Sequence, residues 1–301
     1  MNRTIIPPFL KQGSGIALIA PSRFAEKGHI ELAEKWIQEN GWVSYRSPHL
    51  GTKEDQFGGS NKQRSDDFNW AIAHVDVHAI WSVRGGYGAV KIVDNINWSA
   101  LEKDPKWIIG FSDFTVLLSH SIQQNIAGIH SFMPIQIPSL SKKSLKGLVN
   151  TLAGSPGSMQ AKHHPLNVNG QVTGKLIGGN LSVLFSLLGS CSFPQLDGCI
   201  LVLEDLDEYK YHIDRMMNAL RRSQVLQNLS GIVLGSFSEI KDNPQIFGKE
   251  VFEIIRENTP SNIPFGIGLP IGHTFNNESF INGLIYSLNV NVNGSLLIPI
   301  Q

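Results

Sequence analysis

The chain is poor in cysteine: Cys191 and Cys199 are the only two. That is too few for a disulfide framework, and they lack the paired spacing of a zinc site. A reduced compartment is the default expectation. An excess of charge is missing as well, since 25 Lys and Arg balance 25 Asp and Glu. The balance gives no basis for a broad nucleic-acid or membrane-binding face and favours a small or locally guided ligand. No stretch of uncharged apolar residues approaches the length that crosses a bilayer. The opening MNRTIIPPFLKQG places two prolines and a lysine where a signal peptide needs an unbroken apolar run. The expectation is a soluble, cytoplasmic protein.

What is present is apolar content, 42% of 301 residues, enough for about two domains with real cores. Residues 1–150 alternate in type. GIALIAPS (from Gly15), WVSYRS (from Trp42) and HAIWSV (from His78) read as strands, and HIELAEKWIQEN and KQRSDDFNWAIAHV as amphipathic helices. A further helix is expected over AVKIVDNI, from Ala89. Such alternation predicts a parallel sheet covered on both faces, with ligands beyond the carboxyl ends of its strands. The Pro21-Ser22 turn, the Arg84 to Gly88 turn and Ser112 would collect there. Residues 151–170 are rich in Gly, Ser, Pro and Asn and read as a linker or long loop. Residues 171–301 read as a smaller, β-rich mixed domain, in which Asn293-Gly294 between alternating apolar residues signals a hairpin.

The join in KWIIGFSDFTVLLSH (from Lys106) turns an apolar strand into a helix at Gly-Phe-Ser-Asp. Ser112 there has two roles open to it. It is an N-cap, with Asp113 suited to the positive end of the helix dipole, or it is the nucleophile of a strained elbow. The second glycine of G-x-S-x-G is absent, so these residues alone favour the cap.

LVLEDLDEYKYHIDRM delivers Glu204 at the end of another strand, in a cluster with Asp205, Asp207 and Glu208. A solvated acidic turn explains the cluster, and it lacks the ligand mix of a cation loop. Among ten histidines, His273 lies in a glycine-bracketed loop, GIGLPIGHTFNNES. His130 ends the strand AGIH and is its best rival; His120 sits on the helix behind Ser112, and the adjacent pair His163-His164 lies in the polar linker. Serine chemistry needs a base for the hydroxyl proton and a carboxylate to hold the imidazole. Ser112, Glu204 and His273 would supply these in the order nucleophile, acid, base.

With these residues in view the chain resembles the LD-carboxypeptidase family, the serine peptidases that include muramoyltetrapeptide carboxypeptidases and microcin-C immunity peptidases. The resemblance rests on IALIAPS, SVRGGYGA around Gly86, IIGFSDFTVLL around Ser112, GKLIGGNLSVL near Gly178, LVLEDLDEYKYHIDRMM around Glu204 and GLPIGH around His273, in that order. It implies a flavodoxin-like N-terminal domain related in architecture to class I glutamine amidotransferases, a smaller β-rich C-terminal domain, and a Ser112-Glu204-His273 triad split between them. The backbone N–H groups of Gly86 and Asp113 are the oxyanion-hole candidates. Arg84 would take a substrate carboxylate through two parallel hydrogen bonds, or else hold its own turn by bonding backbone carbonyls. Tyr87 is poised between lining the pocket and packing. The family's His-Gly-Pro reads here as His130-Ser131-Phe132, which adds bulk where glycine permits close approach.

The implied activity is removal of the terminal D-alanine from murein tetrapeptides during cytoplasmic cell-wall recycling. No metal or organic cofactor is required, no nucleic acid or membrane partner is implied, and a homodimer is suggested by the resemblance only. A second enzyme reading is hydrolysis of a peptidyl or aminoacyl nucleotide. Nucleotide recognition would want an aromatic platform, and Thr151 to Gln171 contains no Trp, Tyr or Phe. A reading from another class is a peptide-binding protein that keeps the scaffold and has lost catalysis.

Overall fold

Gly15–Ile19 carries no polar side chain and is buried at every position, as a strand covered on both faces requires. It is β1 of a computed structural model that describes residues 4–300. In chain order β1 is followed by α1 (Lys27–Glu39), β2 (Val43–Arg46), α2 (Asn61–Ala73), β3 (Val77–Ser82), α3 (Trp98–Lys103), β4 (Trp107–Gly110), α4 (Thr115–Gln123), β5 (Gly128–His130) and α5 (Lys142–Leu152). Then come β6 (Met159–Lys162), β7 (Gly170–Asn180), α6 (Leu181–Ser186), β8 (Ile200–Leu206), α7 (Lys210–Arg222), β9 (Gly231–Ser238), α8 (Val251–Glu257), β10 (Phe265–Ile267), β11 (Phe280–Asn282), β12 (Ile285–Asn291) and β13 (Gly294–Pro299).

The strands form two sheets. The first runs β11-β5-β4-β3-β1-β2, parallel from β1 to β5. The second runs β10-β9-β8-β7-β12-β13-β6, with β7 to β10 parallel and the β12–β13 hairpin and β6 antiparallel. The fold is the mixed α/β architecture expected, a parallel first sheet and a mixed second one.

Three local expectations change. AVKIVDNI forms two short 3₁₀ turns, Ala89–Lys91 and Val93–Asn95, in place of a helix. Its apolar residues are buried at helical spacing, but Ile92 leaves helical geometry at φ −122. The expected linker contains β6, whose Met159 is buried with Leu297 in the core of the second sheet. In the hairpin Asn291 stands opposite Gly294, so Val292 and Asn293 make the turn, one residue earlier than the Asn-Gly signal.

β11 comes from the C-terminal segment yet pairs antiparallel with β5 of the first sheet, Phe280 opposite His130. The His273 loop immediately precedes β11, so this strand returns the loop to the sheet that carries Ser112. On one face of that sheet Trp36, Trp81 and Phe132 pack together, with ring centroids 5.0 to 6.0 Å apart. The Phe132 ring is fully buried there. The bulk that replaces the family's proline therefore fills core.

Candidate active site

β4 ends at Gly110, and a Cβ at that position would lie 2.6 Å from the Phe114 ring. Only glycine lets the chain double back so closely. Phe111 is extended, and Ser112 then adopts φ 59, in the left-handed region that L-residues avoid. Holding a serine there costs about 1–3 kcal/mol, strain of the kind that clusters at functional sites. A 3₁₀ turn over Ser112–Phe114 leads into α4. Ser112 caps neither segment, and among the described residues its hydroxyl has no hydrogen-bond partner. The N-cap role fails here, because Ser112 is already inside the 3₁₀ turn, with Phe111 and Phe114 at the two cap positions.

The turn is braced from behind. Asp113 Oδ2 accepts from Ser22 Oγ at 2.5 Å and from the Ala89 N–H at 2.9 Å. Burial raises its pKa, while those two bonds and the charges of Arg64 and Arg23 act in the opposite direction. The buried Arg64 guanidinium donates to the Pro21 carbonyl and, at 2.9 Å, to the Gly88 carbonyl. Arg64 and Asp113 thus hold the turn after β1 and the Arg84 to Gly88 turn against each other. Among the described residues neither the Gly86 nor the Asp113 N–H has a protein acceptor.

Glu204, wholly buried on β8, places Oε2 2.8 Å from His273 Nδ1. The imidazole packs on the Phe111 ring with centroids 4.6 Å apart, beside the serine turn. Glu204 Oε1 has no protein partner among the described residues. A bond ties the neighbouring β7 to the serine turn's helix: Asn180, opposite Glu204 in the β7–β8 register, donates its N–H to Thr115 Oγ1 at 3.2 Å. Thr115 is the first residue of α4. Asp205 faces the other way, accepting from Asn180 Nδ2 and the Ser182 N–H; burial, then the neighbouring Glu204 charge, push its pKa up to about 7.

Other sequence candidates fall elsewhere. His130 is fully buried, with neither nitrogen partnered among the described residues, and is stacked on Phe280 at 4.6 Å. Burial pulls its pKa down to about 4. His120 bonds Ser192 Oγ at 2.8 Å and stacks on Trp98, a packing role. His164 accepts from the Leu166 N–H at 3.2 Å, and His163 is exposed. Cys191 and Cys199 are unpaired, and among the described residues no cluster of potential ligands could hold a metal ion. Arg84 donates to the Phe24 carbonyl at 3.4 Å and lies over that ring, while Tyr87 is exposed beside Phe57.

Sequence reasoning passed over Phe111, Arg64 and Arg23. Arg64 did leave a signal, a charge four residues before Phe68 on the buried face of α2. Phe111 and Arg23 left none, because their partners come from distant segments.

A parallel sheet with a strained serine turn, met by a buried carboxylate–imidazole pair from a second sheet, defines the class as a hydrolase of the serine type. Residues 16–131 match the LD-carboxypeptidase N-terminal domain and residues 173–288 its C-terminal domain, so the chain belongs to the LD-carboxypeptidase family and is a peptidase. It is 30% identical to the murein tetrapeptide carboxypeptidase of Pseudomonas aeruginosa, over 89% of this chain and 91% of that one. The structure of muramoyltetrapeptide carboxypeptidase from Oxalobacter formigenes superposes with TM-score 0.88 at 26% identity, over 96% of this chain and 99% of the other. The microcin C7 self-immunity protein in complex with aspartyl sulfamoyl adenosine shares the fold, with TM-score 0.87 at 20% identity over 99% of each chain.

Proposed function

We propose that the protein is an L,D-carboxypeptidase that removes the terminal D-alanine from murein tetrapeptides in the cytoplasm, in the recycling of cell-wall peptides. The observation that carries this reading is the Glu204–His273 pair docked on Phe111, next to the strained Ser112. His273 Nε2 takes the Ser112 proton as Oγ attacks the amide carbonyl of the last peptide bond. The oxyanion receives the Gly86 and Asp113 N–H groups. Collapse of the tetrahedral intermediate breaks the C–N bond, and His273 returns the proton to the departing D-alanine amine. Water, deprotonated by His273, then cleaves the acyl-enzyme and regenerates Ser112. Glu204 fixes the imidazole tautomer and stabilises the imidazolium throughout. Arg84 and Tyr87 border the approach to this centre.

The test is D-alanine release from a free L,D-linked tetrapeptide by the native protein and by Ser112→Ala, with a chelator present. Release by the native protein alone supports the reading; full activity in Ser112→Ala rejects the serine mechanism, and loss of native activity to the chelator does so too. A second reading, cleavage of an aminoacyl nucleotide, is favoured by one observation: the fold is shared with the immunity protein in complex with aspartyl sulfamoyl adenosine. Turnover of an aminoacyl sulfamoyl nucleotide, with the tetrapeptide left intact, decides for it.

A further inference from the structure

Arg23 sits on the turn after β1, and the serine turn is beside it. Its N–H donates to the Gly85 carbonyl at 3.4 Å. A Cβ on Gly86 would lie 2.5 Å from Arg23 Cδ and 2.8 Å from its Nε, so the arginine stem lies flat over Gly86. A Cβ on Gly85, one residue earlier, would lie 3.6 Å from the Ser112 Cβ. The cation and the nucleophile therefore flank two consecutive glycines. Its charge reaches Asp113, the residue next to the nucleophile.

The guanidinium itself is uncommitted. Arg23 is exposed, and among the described residues its side chain has neither a hydrogen-bond acceptor nor an ion pair. Arg84, the other arginine at this mouth, already donates to the Phe24 carbonyl. Most exposed arginines are simply solvated and mobile. This one is laid across a glycine at φ +115 that leaves no room for a Cβ beneath it, which holds its fork beside the reacting centre. A planar fork of donors without a protein acceptor, at the mouth of a peptidase site, matches a carboxylate bound through two parallel hydrogen bonds.

We propose that Arg23 binds the free α-carboxylate of the residue to be released, and so is the residue that restricts Ser112 to the last peptide bond. The inference rests on the peptidase reading above. A carboxylate bound by this fork would sit next to the Gly86 turn, which lies one residue from the glycine that borders the Ser112 Cβ.

The experiment compares binding of two probes, a murein tetrapeptide with a free C-terminus and the same peptide amidated, by titration calorimetry. The proteins are Ser112→Ala alone and combined with Arg23→Gln, Arg23→Lys or Arg84→Gln, so that nothing is turned over. In Ser112→Ala the free acid should bind about 10- to 100-fold tighter than the amide, the range of a hydrogen bond to a charged group. Arg23→Gln should erase that preference, Arg23→Lys should restore part of it through charge without the fork, and Arg84→Gln should keep it. A preference that survives Arg23→Gln, or that disappears only with Arg84→Gln, overturns the assignment. Equal binding of acid and amide to Ser112→Ala overturns it too, and if the native protein still releases D-alanine, the peptidase reading stands without the clamp. Binding of neither peptide, with no turnover by the native protein, rejects both.

Discussion

His273 Nδ1 lies 2.8 Å from Glu204 Oε2, with the carboxylate wholly buried and 17% of the imidazole side chain exposed. In the proposed mechanism the buried acid fixes which nitrogen of His273 carries the proton toward it, leaving Nε2 to act as base. Glu204→Gln keeps the shape and removes the charge, so kcat should fall about 10²- to 10⁴-fold with little change in KM. Steady-state kinetics on the tetrapeptide check this. An unchanged kcat would remove Glu204 from the mechanism.

Gly86 combines φ +115 with the Arg23 stem over its Cα. Gly86→Ala should therefore displace both the turn and the arginine. We expect a loss of kcat of about 10²-fold or more, the cost of losing one oxyanion donor, together with a higher KM. Circular dichroism and the thermal midpoint should stay near native, since the turn lies at the surface; a global unfolding would instead show the turn to be a stability element.

Histidine 130 gives a stability prediction with a defined sign. Its pKa falls from 6.5 to about 4 in the folded protein, by burial first, with the His273 charge adding and the Glu204 charge opposing. Between those values the unfolded chain holds more protons than the folded one, so stability is lost as pH drops from 6.5 toward 4. The contribution is on the order of 3 kcal/mol. His130→Phe should flatten the dependence of unfolding free energy on pH in that window. The slope is the readout, because any packing cost of the larger ring is the same at every pH. A slope equal to native would mean that the imidazole is not held neutral.

Phe132 is predicted to act through the core. Its ring packs against Trp36 and Trp81, so Phe132→Ala should cost about 3–5 kcal/mol by urea denaturation. A change in substrate KM with stability unaltered would instead place this ring in the substrate pocket.

Much of the scaffold was legible because the central strands of the first sheet are short apolar runs that stay buried on both faces, as Trp107–Gly110 does. The helix expected at Ala89 is interrupted at Ile92, whose φ of −122 departs from helical geometry although the apolar spacing is helical. Asp113 accepts from the Ala89 N–H, and no local pattern records a partner 24 residues away. The linker over residues 151–170 misled through its Gly, Ser and Pro content, which hides the four-residue strand β6. At the site, the residue types and order of Ser112, Glu204 and His273 were visible in the chain. Phe111 beneath His273 and Arg23 over Gly86 were not.

The sequence by itself determined the alternation that makes a parallel sheet, the turn residues at its strand ends and the residue types serine chemistry needs, because each depends on periodicity or on neighbours a few positions apart. Only the tertiary structure decided the left-handed conformation of Ser112, the burial of Glu204 against His273 and the placement of the Arg23 stem over Gly86. The strain at Ser112 is held by contacts from distant segments, through Asp113 to Ser22 and Ala89 and through Thr115 to Asn180. Glu204 and His273 are 69 residues apart and meet because the loop after β10 folds back over β9, where the Ser236 N–H donates to the Ile271 carbonyl at 2.8 Å, beside β8. Desolvation and strain are properties of what surrounds a group, and for these groups the surroundings are assembled only when both sheets are in place.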